Sequence, residues 1–289
     1  MIFRPGLCCI SLSNPLKFQT MTKKSFLSKP RNDSESKLLE KINHNCKVTS
    51  ENIKLCRAND WCYRLSSNIC PLFTLPEVNL DRNKILELDE FKVLAAMPKC
   101  RISNHPDQFN VLASENKTAV ESTIRELNFQ SWLMDSLNIP ANYNYPINIH
   151  LNCSSGNPDD IAKRFWENFD KLDDNTKKRL VLEVEDKGAW NAEKLCEYFG
   201  SKIPITFDYL HHLCNPGSIS EEKAYNRCYD TWNGHLPLFH YSESQPNQNN
   251  PRKHADWATS LPNTYQSNVD LDFEFKMKDL AISKILNNS

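Results

Sequence analysis

Five of the eight histidines in this 289-residue chain stand where a short apolar run ends or just beyond it, and acidic residues hold matching places. His105 follows the run at 100–104, and His150 falls at the end of 146–151. Glu183 lies in 180–185, and Asp208 closes 204–209 with His211 three residues on. His240 ends 236–241, Glu274 ends 269–275, and His254 lies in the segment between those two. A single histidine at the end of a strand is usually a packing or capping residue. Six consecutive runs closing on His, Asp or Glu are another matter, because buried ionisable groups are costly unless they are paired or bind a metal. Residues 180–184 have the length and branched content of a buried strand, so the carboxylate of Glu183 needs a cation or hydrogen-bond donors beside it.

Imidazoles mixed with carboxylates suit borderline divalent ions such as Zn2+ or Mn2+, whereas Ca2+ and Mg2+ favour oxygen alone. One tetrahedral centre takes about four ligands. Eight candidates, His105, His150, Glu183, Asp208, His211, His240, His254 and Glu274, therefore suit two or three ions with Glu183 bridging. Two ions about 4 Å apart stabilise both the attacking and the leaving oxygen in phosphodiester cleavage. Sugar isomerisation on a similar scaffold is the competing chemistry, and binding without catalysis is a third reading.

The elements that must position these groups are eight candidate strands at 3–10, 61–65, 100–104, 146–151, 180–185, 204–209, 236–241 and 269–275. Helical spacing falls between them at 36–42, 120–137, 161–171 and 191–198. Alternation of this kind predicts an α/β protein with a parallel sheet, and eight repeats predict a single (β/α)8 TIM barrel over 1–289, with the functional groups at the C-terminal ends of its strands. An open doubly wound sheet is the alternative. No Gly-x-Gly-x-x-Gly follows the first run and the chain has six glycines, so a nucleotide cofactor has little support. Residues 20–60 and 242–266 read as long polar segments, which in compact domains bind something or lack order. The first carries Lys23, Lys24, Lys29 and Arg31, a basic patch better read as a solvated face than as a phosphate contact.

With 39% hydrophobic and 25% charged residues, the composition is that of a soluble globular protein, and no apolar run approaches the roughly 20 residues of a membrane helix. The mildly apolar residues 6–12 are too short for a secretion signal and read as part of the first strand. Eleven cysteines without a repeated Cys-x-x-Cys point to a reducing, intracellular setting. Basic and acidic residues balance at 35 against 36, which neither requires nor excludes a nucleic-acid partner.

Five stretches together resemble the UV damage endonuclease family: Tyr63-Arg-Leu-Ser-Ser67, Cys100-Arg-Ile-Ser-Asn-His-Pro-Asp-Gln-Phe-Asn-Val-Leu-Ala-Ser114, Leu182-Glu-Val-Glu-Asp-Lys187, Phe207-Asp-Tyr-Leu-His-His212 and Arg252-Lys-His-Ala-Asp256. Each is moderately specific, and their order along the chain carries the resemblance. It implies a metal-dependent, xylose isomerase-like barrel related to endonuclease IV that acts on damaged double-stranded DNA, and a monomer is the expected state. Such an enzyme nicks the duplex immediately 5′ to a photoproduct and leaves a 3′-hydroxyl. Carried over residue by residue, the resemblance implies one metal site from His105, His150 and Glu183, and a second from Glu183, Asp208, His240 and Glu274. His211 and His254 would serve a third ion. Manganese is the expected metal, with Zn2+ or Mg2+ as substitutes, and Glu183, His240 and Glu274 carry the catalytic role.

Gln108 and Phe109 look like the pair the family inserts into the duplex at the lesion, where a flat ring fills the space of an extruded nucleotide. Leu7, Arg64, Ser66, Ser67 and Arg252 are the other expected DNA contacts. Three positions depart from the family pattern. Leu7 follows Gly6 where a tyrosine is common, Leu238 stands where a lysine precedes the seventh-strand histidine, and Val184 replaces an asparagine. Arg252 stands where related nucleases place an aspartate of the third centre.

Overall fold

The strands are buried on both faces, as expected when helices cover one face of a parallel sheet and a packed interior the other. The computed structural model describes residues 3–153 and 156–287. Its strands are β1 (Phe3–Cys8), β2 (Cys62–Leu65), β3 (Ile102–Asn104), β4 (Ile147–His150), β5 (Leu180–Glu183), β6 (Ile205–Thr206), β7 (Leu238–Tyr241) and β8 (Val269–Phe273). All pairings are parallel, in the order β6-β5-β4-β3-β2-β1-β8-β7. A single bridge between Asp208 and His240, with the His240 amide donating to Phe207 O at 2.9 Å, brings β7 onto β6 and closes the barrel. The alternation read in the sequence is thus a (β/α)8 barrel, with the strand ends trimmed by up to a few residues.

Around it run α1 (Lys23–Leu27), α2 (Arg31–Ala58), α3 (Asn83–Leu86), α4 (Asp89–Ala96), α5 (Lys117–Ser136), α6 (Pro158–Phe169), α7 (Asp174–Lys177), α8 (Ala192–Tyr198), α9 (Tyr209–Cys214), α10 (Glu221–Asp230) and α11 (Lys278–Asn287). Local chemistry sets several starts. Asn157 caps α6, followed by Pro158 in the first turn and by Asp159 and Asp160, which complement the helix dipole. Asn116, Asn191 and Ser220 cap α5, α8 and α10 with side-chain oxygens. Among the described residues, no helix is long and apolar enough to cross a membrane.

One expectation is corrected here. Residues 20–60 are not an extended polar loop but mostly α1 and the 28-residue α2, which contains the short helix read at 36–42. The buried face of α2 mixes Leu38, Ile42, Cys46 and Ile53 with Asn45, Thr49, Ser50 and Asn52, so no apolar stripe marks it. Hydrogen bonds offset the burial of its amides: Asn45 donates to Gln19 O and Asn68 O, and Asn52 donates to Cys9 O and Tyr63 Oη. The basic patch is partly tied down, because Lys23 pairs with Glu77 and Arg31 with Glu35.

Inside the barrel, strand alternation stacks charge in layers. On β8, Asp270, Asp272 and the following Glu274 share one face, while Val269, Leu271 and Phe273 share the other. Arg4 grips Asp270 with Nε at 2.9 Å and Nη2 at 2.7 Å, and Arg101 adds a third bond at 2.8 Å. One layer up, Arg64 Nε donates to Asp272 Oδ2 at 2.8 Å and Ser103 Oγ donates to it at 3.2 Å. Gly6 makes room for this layer: a Cβ built on it would overlap Asp272 Oδ1 and stand 3.2 Å from its Cγ. The top layer, at the C-terminal ends of the strands, is the candidate site.

Candidate metal centre

Glu183, at the end of β5, is 1% exposed and sits at the centre of the top layer. His105 Nε2 is 3.0 Å from its Oε2 and His150 Nε2 is 3.7 Å from the same atom. His240 Nδ1 and His211 Nδ1 stand 3.0 and 3.2 Å from its Oε1. The side-chain amide of Asn148, one alternation below His150 on β4, also donates to Oε2. Four imidazoles from four strand ends therefore face one carboxylate.

Asp208 lies beside this group at the end of β6. Its Oδ1 accepts from the His211 amide at 2.7 Å and so caps α9, while its Oδ2 is buried without a hydrogen bond. Glu274, just past β8, reaches His240 Nδ1 at 3.5 Å and His254 Nδ1 at 3.6 Å, and it also accepts from Arg64. Although His240 Nδ1 lies within 4.0 Å of three carboxylates, those of Glu183, Glu274 and Asp208, it has no aligned hydrogen bond. A buried polar atom left unpaired is costly, and these two, among several in the structure, belong to residue types that ligate divalent ions.

The donor atoms of three groups lie within 4.8 Å of one another: His105 with His150 and Glu183; Glu183 with Asp208 and His211; and Asp208 with His240 and Glu274. The residues present fit a divalent cation, and Glu183 and Asp208 are each shared between two groups. His211 joins Glu183 and Asp208 rather than His254. His254 belongs to none of the three, and its Nδ1 is 2.8 Å from the Glu274 main-chain carbonyl.

The charges answer one another. Burial alone would raise the Glu183 carboxyl, but the charge of His240 and His150 and the bonds from His105 and His211 hold it well below the usual range. Burial pushes His150 down to about 4 against the pull of Glu183. Burial raises Asp208. For His211, burial is overridden by Asp208 and Glu183, so its basicity rises. Beside the cluster, burial pushes Glu185 up to about 7 against a hydrogen bond from the Asn152 amide. A hollow of about 130 Å3 opens there, lined by His150, His211, Glu185, Asp186, Lys187 and Gln108.

Several expected DNA contacts are corrected. Leu7 is 0% exposed because the β1 pleat turns it outward into the helix layer, and only Gly6 and Cys8 on either side face the interior. Arg64 is enclosed by Asp272 and Glu274 inside the barrel, and buried Ser66 caps the turn at Ser67–Ile69 through a bond from the Asn68 amide. All three side chains are buried. Ser67, Gln108, Phe109 and Arg252 are exposed, Phe109 at 78%, and Arg252 Nε lies 3.6 Å from Asp186 Oδ2. Val184 also faces outward, so of the three family departures only Leu238 shares the inner face of its strand with His240. Asp272 and Asn148 join the site beyond the expected residues, and the period-two acids Asp270, Asp272 and Glu274 are the sequence signal for the first.

Comparison with known proteins agrees with this geometry. The UV DNA damage endonuclease of Bacillus cereus (strain B4264) is 31% identical over 282 residues, covering 93% of this chain and 88% of that protein. That of Bacillus anthracis (strain A0248) is 31% identical over 281 residues, with the same coverage. The crystal structure of SacUVDE superposes with a TM-score of 0.82 at 28% identity, covering 99% of this chain and 97% of that one. Endonuclease IV from Thermus thermophilus, at 11% identity and a TM-score of 0.54 over 99% and 97% of the two chains, shares the fold alone. The same holds for the 3-keto-D-glucoside 4-epimerase YcjR from E. coli, at 8% identity and a TM-score of 0.55 over the same shares. The family described as UV-endonuclease UvdE matches residues 3–288, so strand ends, barrel and relatives converge, and the chain belongs to the UV-endonuclease UvdE family.

Proposed function

We propose that this chain is a DNA-repair endonuclease that nicks duplex DNA immediately 5′ to UV photoproducts, leaving a 3′-hydroxyl and a 5′-phosphate. Its lesions are cyclobutane dimers and 6-4 photoproducts, with abasic sites as a further substrate. The observation that carries the reading is the convergence of four imidazoles on Glu183 beside the unpaired atoms Asp208 Oδ2 and His240 Nδ1. His105, His150, Glu183, Asp208, His211, His240 and Glu274 would hold two or three divalent ions, most simply Mn2+, with His254 as an outer ligand. When bound, such ions supply activation of water toward neutral pH and neutralise charge on the leaving oxygen.

The chain's own groups do the rest. Glu183 and Asp208 each bridge two donor groups, and Arg64 fixes Glu274 from below. Asn148 orients Glu183, and the capping bond from the His211 amide orients Asp208. Gln108 and Phe109 project from the rim, where an exposed ring and amide can enter a distorted duplex. Arg252 and Ser67 would contact the phosphate backbone, and the chain would act as a monomer within the cell.

The test is an end-labelled duplex carrying one cyclobutane dimer, incubated with Mn2+ or with chelator, beside abasic and undamaged duplexes. A metal-dependent nick 5′ to the dimer is expected, and Glu183→Gln abolishes it while the circular dichroism spectrum stays unchanged. Cleavage that survives the chelator, or a fully active Glu183→Gln, overturns the assignment.

A further inference from the structure

All eleven cysteines are free thiols, and two of them meet across a helix pair. Cys196 on α8 and Cys228 on α10 have their Sγ atoms 3.7 Å apart. Cys196 is partly exposed and Cys228 fully buried, so an oxidant reaches one and the other waits behind it. A disulfide bond needs about 2.05 Å between sulfurs, so the pair must close by roughly 1.7 Å.

The place of this pair in the barrel gives it a consequence. Strand β6 has two residues, pairs with β5 at Leu182–Ile205 and Glu183–Thr206, and meets β7 in one bridge at Asp208. The edge that β7 leaves unpaired is held by the end of α10. The Ile205 amide donates to Thr231 Oγ1 at 2.8 Å, Thr231 Oγ1 donates to Cys228 O at 2.6 Å, and Trp232 Nε1 donates to Ile205 O at 3.0 Å. On the α8 side Gly200 fits closely, since a Cβ there would stand 2.7 Å from both Cys196 O and Thr231 Cγ2. Cys228 thus belongs to the backbone chain that positions β6, which in turn presents Asp208 to the metal centre.

We propose that Cys196 and Cys228 are a reversible oxidation site, whose disulfide clamps α8 to α10 and stiffens the β6–β7 seam of the barrel. The oxidant is a hydroperoxide. The Cys196 thiolate attacks its terminal oxygen, the O–O bond breaks, and a sulfenic acid forms as the alcohol or water leaves. The Cys228 sulfur then attacks the Cys196 sulfur and expels water, so that two thiols lose two electrons and two protons while one peroxide bond is reduced. A dithiol reductant reverses the step. This inference is independent of the nuclease reading.

The test treats the full-length reduced chain with hydrogen peroxide, alkylates the remaining thiols and maps peptides without reduction. A linked pair containing Cys196 and Cys228 is expected, together with a melting temperature higher by a few degrees that dithiothreitol reverses. Cys196→Ser and Cys228→Ser each remove both the linked peptide and the shift. Oxidation that falls on other cysteines while these two remain alkylatable overturns the proposal, and so does a linked pair with no rise in melting temperature. The wild-type map decides the first point even where a variant folds poorly.

Discussion

Replacing Gly6 by alanine tests whether the charged interior of the barrel holds the site in place. The added methyl overlaps Asp272 Oδ1 and stands 3.3 Å from the Asp272 Cα, so the carboxylate must swing away. In doing so it gives up the 2.8 Å bond from Arg64 Nε and the 3.2 Å bond from Ser103 Oγ. Overpacking a core costs about 1–3 kcal/mol, and depriving a buried charge of its partner costs about 3–5 kcal/mol. Because Asp272 is displaced rather than deleted and Arg64 keeps Glu274, we expect Gly6→Ala to lose about 3 kcal/mol. For a domain of this size that lowers the melting temperature by roughly 5 °C. Urea unfolding in chelator measures the loss. Isothermal titration with Mn2+ should show weaker binding as well, since Arg64 then leans on Glu274 differently. A loss below about 0.5 kcal/mol, the range of a neutral surface substitution, would mean that the β1 backbone gives way and that Asp272 does not depend on the glycine.

Two further outcomes follow from the same structure. Phe109→Ala should reduce the preference for dimer-containing over undamaged duplex by roughly 5- to 150-fold, as loss of about 1–3 kcal/mol of base stacking implies, while Mn2+ affinity stays unchanged; competition binding on the two duplexes measures it, and an equal loss on both would return the ring to a packing role. Asp270 supplies a pH dependence. Burial alone would raise it, but Arg4 and Arg101 hold it below the ordinary carboxylate range. Its contribution to stability is therefore full above the unfolded value of about 3.9 and is lost as pH falls through the lower folded value. Asp270→Asn should thus be destabilised by about 3 kcal/mol at pH 7, where buried Arg101 loses its carboxylate and keeps only the carbonyls of Asn144, Leu236 and Pro237, and the deficit should narrow below about pH 4; urea unfolding across pH reads it, and a pH-independent deficit would sever Asp270 from the charge argument.

The sequence by itself determined the barrel and the placing of ionisable side chains at the ends of its strands. Runs such as Leu180–Glu183 are legible because a strand buried on both faces is apolar throughout, and the residue that leaves it charged stands out. His105, His150, Glu183, Asp208, His240 and Glu274 all lie at strand ends, and a parallel barrel gathers those ends on one face. What only the tertiary structure decided is facing and partnership. A one-residue change of position on a strand reverses the face, so Leu7 and Val184 look outward while Gly6 and Glu183 look inward. Helix α2 escaped because its buried amides find partners far along the chain, such as Asn45 with Asn68 O and Asn52 with Tyr63 Oη. Arg64 reads as an exposed contact until Asp272 and Glu274, more than 200 residues away, enclose it. Hydrophobic pattern is a local property of the chain, whereas the partner of a buried charge or thiol is set by closure of the barrel.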